Sequence, residues 1–218
     1  MFRPFRLITL GVLALLVYMG FFAVPAGGAG SGTFTPRKVA ALETAVWQAA
    51  RAGEEMAAFT NGVLFQRELY RYSWFRSAQS GLALSRAAIQ FARMTTRFER
   101  ALPNLTEVAA VEQAWRNPDL DPARAARTRL DWWVTVHAST DAAMAEQAAS
   151  IMAAEYAQWY GLAPEFIYEA AIDRAVAFRM INSKDVDLDW PVITQLLERS
   201  YTALQVTLDQ SGRSGAGS

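Results

Sequence analysis

Residues 7–24 read LITLGVLALLVYMGFFAV, 18 residues in a row without a charged side chain. A stretch of that kind has few places to go. About 20 apolar residues cross a bilayer as a helix, and about 7–15 form the apolar core of a secretory signal. The length favours an uncleaved spanning anchor, with Tyr18, Phe21 and Phe22 at the far interface. Val24, Pro25 and Ala26 offer small residues for cleavage after Ala26, so a cleaved signal is the competing reading; a core helix buried at the extreme terminus is a third. Arg3 and Arg6 precede the run. Under either of the first two readings the positive-inside rule keeps them in the cytoplasm and sends the rest of the chain across. The expected location is therefore the bacterial inner membrane, single-pass, with the body in the periplasm, or the periplasm itself if residues 1–26 are removed.

The remainder divides by composition. Residues 1–24 form the anchor or signal segment, and 25–34, which include PAGGAGSG, form a flexible tether with nothing to pack. Residues 35–210 form one body, and 211–218 (SGRSGAGS) form a disordered tail. The body reads as helix nearly throughout, because apolar residues recur at helical spacing and no stretch alternates at period two. Thr35 and Pro36 open a first helix to about 59, and Asn61-Gly62 is expected to break it. Further helices are expected over 63–78, ending near Ser80-Gly81, then 82–102 up to Pro103, 106–115, 122–137, 141–160 closed by Gly161, 164–181, and 191–208 capped by Asp189. The expected fold class is all-α: one N-terminal membrane-spanning or signal helix, then a compact multi-helix body of about seven to eight helices. That build is common among single-anchor envelope proteins, which are a class rather than a family.

Composition removes several functions. Lys+Arg and Asp+Glu both number 21, so the chain has no net basic field for nucleic acid. With no Cys and one His it has no disulfide, zinc-thiolate site, iron–sulfur cluster or multi-histidine metal site. No cofactor is expected. At 52% hydrophobic it is too apolar for a disordered chain.

Charge is unevenly spread. Residues 67–129 hold 11 Lys/Arg against 6 Asp/Glu, whereas residues 130–210 hold 4 against 12. Either the two faces meet inside one body, or the surface is bipolar and one end faces anionic lipid or an acidic partner. On a helix spanning 82–102, Arg86, Arg93, Arg97 and Arg100 fall in one stripe, opposite Leu84, Phe91, Met94, Phe98 and Leu102. A helix lying on a membrane surface has that pattern, and so does an amphipathic helix on a core. Tyr70, Tyr72, Trp74 and Phe75 interleave with Arg67, Arg71 and Arg76. Such a set can stack on sugars or on a partner, or form the shared aromatic core of two helices. Arg86, Arg93, Arg97, Arg100, Trp74 and Phe75 are thus the candidate membrane-surface or partner-binding residues.

Nucleophile, phosphate-loop and dinucleotide motifs are absent from the sequence. Asp185, Asp187 and Asp189 occupy the first three ligand positions of a calcium loop, but Trp190 stands where that loop needs Gly and Leu196 where it needs Glu. A turn whose last Asp caps the next helix explains them better. The sharper polar residues lie on apolar faces. Glu155 sits among Met144, Ala148, Ile151 and Trp159, Arg174 among Ile167, Ala171, Phe178 and Ile181, and His137 beside Ala126, Leu130 and Trp133. A lone buried charge is costly, so each needs a partner. Mutual pairing of Glu155 with Arg174, with His137 near, is expected. Glu155 as a general acid raised by burial is the catalytic alternative. The functional expectation is an accessory or scaffold protein, leaning away from enzyme, that docks on an inner-membrane complex or envelope partner. The alternative is a periplasmic glycan-cleaving enzyme using Glu155.

Overall fold

The structure, a computed structural model, describes residues 18, 20, 21, 34–138, 142–183 and 188–215. Among these it has eight α-helices and no strand: α1 (Pro36–Ala52), α2 (Glu55–Tyr70), α3 (Trp74–Arg93), α4 (Leu102–Trp115), α5 (Pro122–Ala138), α6 (Ala142–Tyr160), α7 (Pro164–Ile181) and α8 (Trp190–Gly215), with a 3-10 turn at Phe98–Ala101 before α4. No helix among the described residues is long and apolar enough to cross a membrane. The run 7–24 lies outside them except for Tyr18, Gly20 and Phe21.

Each helix packs on the next in sequence, and α1 packs on α8, so the chain closes into a ring. Aromatic side chains of the odd-numbered helices meet in the middle. Trp47 of α1 lies 5.1 Å from Trp133 of α5 and 5.0 Å from Phe178 of α7, and Phe91 of α3 lies 5.1 Å from Trp133. These edge-to-face pairs add to the area that the rings bury. Phe34, placed in the tether by composition, is buried as well, with its ring edge against Tyr201.

The later helices follow the sequence punctuation. Pro164 opens α7, and Gly161, in the left-handed region at φ 67°, closes α6. The Oδ1 atoms of Asp121 and Asp189 accept from the first free amides of α5 and α8. The early breaks fall elsewhere than expected. Gly53, not Gly62, ends the first helix, at φ 75° with its amide on Ala50. Asn61-Gly62 and Ser80-Gly81 lie inside α2 and α3, at the point where those helices touch. A Cβ on Gly81 would stand 2.5 Å from the Val63 amide nitrogen, and one on Gly62 would stand 2.8 Å from the Gly81 carbonyl. These glycines permit a backbone-to-backbone approach rather than a turn. The break between α2 and α3 falls at Arg71, left-handed at φ 55°, followed by Tyr72 and the cap Ser73. Helix α3 ends at Arg93, and Pro103 sits in the first turn of α4 instead of stopping a helix. Helix α8 runs to Gly215, past the expected end at 208 and into the stretch expected to be disordered.

Candidate functional site

Of the polar residues that the sequence places on apolar faces, Glu155 and Arg174 are buried and His137 is half-buried, and the partners of the first two differ from those expected. Glu155 of α6 is only 1% exposed. Its Oε1 accepts from Arg129 Nε at 2.6 Å and its Oε2 from Trp132 Nε1 at 2.7 Å, both on α5. The Arg129 guanidinium lies over the Trp159 ring, 4.1 Å from its centroid. Arg174 of α7 pairs instead with Glu43 of α1 through Nη2, and its Nη1 donates to the Tyr156 hydroxyl. Tyr201 of α8 donates to the other Glu43 oxygen at 2.7 Å. Four rings, those of Trp132, Tyr156, Phe178 and Tyr201, surround the Arg174 guanidinium at 5.5–5.7 Å. The Glu155–Arg174 pair is therefore corrected to two pairs, Glu155–Arg129 and Glu43–Arg174. Although α6 and α7 are neighbours in the ring, Glu155 faces α5, and Arg174 reaches across the middle of the ring to α1.

A third pair lies between the buried Glu112 of α4 and the half-buried Arg116 that caps that helix, at 2.6 Å. Tyr72 donates to the second Glu112 oxygen, and Arg116 lies over Tyr160 at 4.5 Å. Burial opposes the charge on Arg174, but Glu43, with Tyr201 and Glu155 behind it, outweighs burial and holds the guanidinium above the usual arginine value. Arg129 behaves likewise, with Glu155 as its main support. Burial pushes the hydroxyls of Tyr70, Tyr72 and Tyr201 well above the usual tyrosine range.

Glu43, Gln66, Tyr70, Arg129, Trp132 and Arg174 line a central cavity of about 20 Å³, room for one or two waters. A sugar ring does not fit there. Both oxygens of Glu43 and of Glu155 already face donors. Chemically, the arrangement can hold charge and fix the mutual orientation of helices.

Glu43, Glu112 and Arg129 escaped the sequence reading, although the test that found Glu155 would have found them. Glu43 lies one helical turn from Val39 and from Trp47, and Glu112 follows Val108 and Val111. Arg129 lies between Ala126 and Trp132. His137 is not part of the Glu155 site. It lies near the other end of α5, against the rings of Phe91 and Phe98 at 5.6 and 5.0 Å. Asp185 and Asp187 lie outside the described residues, while Asp189 caps α8.

The arginine stripe does not exist as one helical face. Arg86, Arg93, Arg97 and Arg100 are all exposed, but only Arg86 and Arg93 share a helix. Arg97 is left-handed at φ 61°, and Arg100 belongs to the 3-10 turn. The basic-aromatic cluster is also divided. Tyr70 and Tyr72 are buried and stack at 5.2 Å. Trp74 and Phe75 stay on the surface at 39% and 46% exposed, with the Arg67 guanidinium 4.1 Å from the Trp74 ring centroid.

Among the described residues, two grooves carry exposed apolar side chains. One runs over α2 and α3, where Phe59, Val63, Leu64, Trp74 and Ala78 line a shallow groove together with Phe21. The other is a groove between α7 and α8. It is lined mostly by polar residues, Glu165, Glu169, Glu198 and Arg199 among them, and holds Phe166, 65% exposed, and Val206, 49% exposed. No protein-family model, curated protein or solved structure matches this chain.

Proposed function

We propose that the chain is a non-enzymatic accessory or scaffold protein, held to the bacterial inner membrane by residues 7–24, whose periplasmic helical body docks on a membrane complex or envelope partner. The observation that carries this reading is the division of chemistry between inside and outside. The carboxylates that catalysis would use are turned inward and occupied by guanidinium, indole and phenol donors. Large apolar side chains, which a solitary globular body tends to hide in its core, stand exposed on the α7–α8 groove. Aromatic anchors within a polar rim are what protein interfaces use, and Glu165, Glu169 and Glu198 would favour a basic partner surface. The glycan-cleaving alternative loses support from the cavity beside Glu43, which is too small for substrate.

The test is native-size analysis after extraction of the full chain in mild detergent. The chain should migrate in an assembly larger than its monomer, and Phe166→Glu with Val206→Glu should release it while the melting temperature stays unchanged. A monomer that binds no partner and cleaves peptidoglycan would overturn the reading.

A further inference from the structure

The α2–α3 surface carries a feature that the α7–α8 groove lacks: a side chain from the N-terminal apolar run rests on it. Phe21 meets Phe75 edge-on, with ring centroids 6.1 Å apart. Gly20 and Phe21 line the same groove as Phe59, Thr60, Val63, Leu64, Trp74 and Ala78. The chain between them and α1 is rich in glycine, yet the two segments meet. We infer that this face of the body lies directly on the bilayer, with Leu64, Trp74 and Phe75 in the interfacial layer and Arg67 against anionic lipid headgroups.

The inference rests on the reading of residues 7–24 as membrane-inserted and adds which face of the body meets the lipid. Three observations converge on it. If the run is in the membrane, Phe21 fixes the α2–α3 face within one side chain of the place where the run emerges. The approach of α2 to α3 at Gly62 and Gly81 is so close that no Cβ fits between them, and it brings Leu64 and Trp74 into a single surface. Trp and Phe at such a boundary place an apolar ring in the acyl layer, and the indole N–H of Trp can reach the headgroups.

Charge supplies the third observation. Arg67 lies over Trp74 and donates to the Tyr72 carbonyl at 2.8 Å. Burial, and then the neighbouring charge of Arg71, holds it below the ordinary arginine value. The Arg67 guanidinium therefore stays on the Trp74 ring at the edge of the groove, where a lipid phosphate would meet it, in keeping with the attraction of basic segments to anionic leaflets.

The chain has no Cys, so single labels can be placed without further engineering. Leu64→Cys, Trp74→Cys and Phe166→Cys are each labelled with an environment-sensitive fluorophore. The full chain is then reconstituted in nanodiscs of phosphatidylcholine and phosphatidylglycerol carrying a headgroup-level spin-labelled quencher lipid. All three sites are exposed, and an unchanged melting temperature confirms folding. Quenching at 64 and 74 should exceed that at 166 several-fold, and it should weaken at high salt or in discs lacking phosphatidylglycerol. Equal quenching at the three sites in a chain that co-migrates with the discs overturns the inference and leaves the anchor reading standing. So does shielding at 74 that follows protein concentration rather than lipid, which would mean a second copy covers the face. A chain that does not co-migrate with the discs overturns both.

Discussion

The Glu43 and Glu112 sites use the same parts and do different work. Each is a buried glutamate facing one guanidinium and one tyrosine hydroxyl. Glu43 collects Arg174 from 131 residues away and Tyr201 from 158 away, so α1 is tied to α7 and α8 where the ring closes. Glu112 takes Arg116 from one turn along, at the cap of its own helix, and the Arg116 side chain is 17% exposed against 11% for Arg174. A charge pair within one helix stabilises a turn that would form anyway. A pair between the first and seventh helices selects one packing of the whole chain. The difference shows that the path to the partner, as much as the depth of the charge, decides what a buried ion pair contributes.

The largest expected effect tests that contrast directly. Glu43→Gln or Arg174→Met leaves its partner charged in the core, at a cost of roughly 3–5 kcal/mol in denaturant unfolding. The double change to apolar residues should recover much of the loss, because neither charge is stranded. Glu112→Gln should cost only about 2 kcal/mol, since Arg116 is held by its own turn of chain and is the more exposed of the two arginines. Equal losses at the two sites would break the comparison.

The sequence makes the need for such pairs legible and leaves their pairing open. Glu155 and Arg174 each announce themselves as charges on apolar stripes. Which charge meets which depends on the direction each helix face takes within the ring, and no single helix encodes that direction. The same split runs through the backbone. Helix α7 begins and ends where proline chemistry and apolar spacing say it should, at 164 and 181. Gly62 and Gly81 mislead, because glycine serves both turns and close helix contact, and only the neighbouring helix distinguishes the two uses. At Arg71 and Met94, where α2 and α3 end, the sequence offers no glycine or proline to read. An exposed Trp74 beside a buried Tyr72 likewise follows from a break that has no sequence signature.

A smaller effect sharpens the Glu43 site through pH. In the unfolded chain a tyrosine loses its proton near pH 10, whereas folded Tyr201, Tyr70 and Tyr72 hold theirs well beyond that. The native state then binds more protons than the unfolded state, so stability is full below about pH 10 and falls as pH rises past it. Tyrosinate absorbance should show these three groups ionising only as the chain unfolds. Tyr201→Phe removes the hydrogen bond to Glu43, at a cost of about 1.5 kcal/mol at neutral pH, and should make the alkaline loss of stability less steep by one proton. A free titration of Tyr201 near pH 10 in folded protein would mean that the Glu43 site is open to water.

The smallest expected effects concern arginines with no depth at all, where backbone geometry replaces charge as the deciding term. Sequence spacing alone puts Arg86 and Arg97 in one helical stripe. Arg86 lies inside α3, while Arg97 stands beyond its end at φ 61°. Glycine in a helix interior costs about 1 kcal/mol relative to a good helix former, so Arg86→Gly should destabilise by roughly that amount. A left-handed conformation costs an L-residue about 1–2 kcal/mol, and glycine avoids it. Arg97→Gly should therefore leave stability unchanged or raise it by up to about 1 kcal/mol, the freer unfolded chain offsetting part of the relief. The opposite signs follow from a helix that ends at Arg93 and from nothing in the charge. If both substitutions destabilise alike, α3 continues through Arg97, the basic stripe exists, and the four arginines regain their claim to a membrane or partner surface.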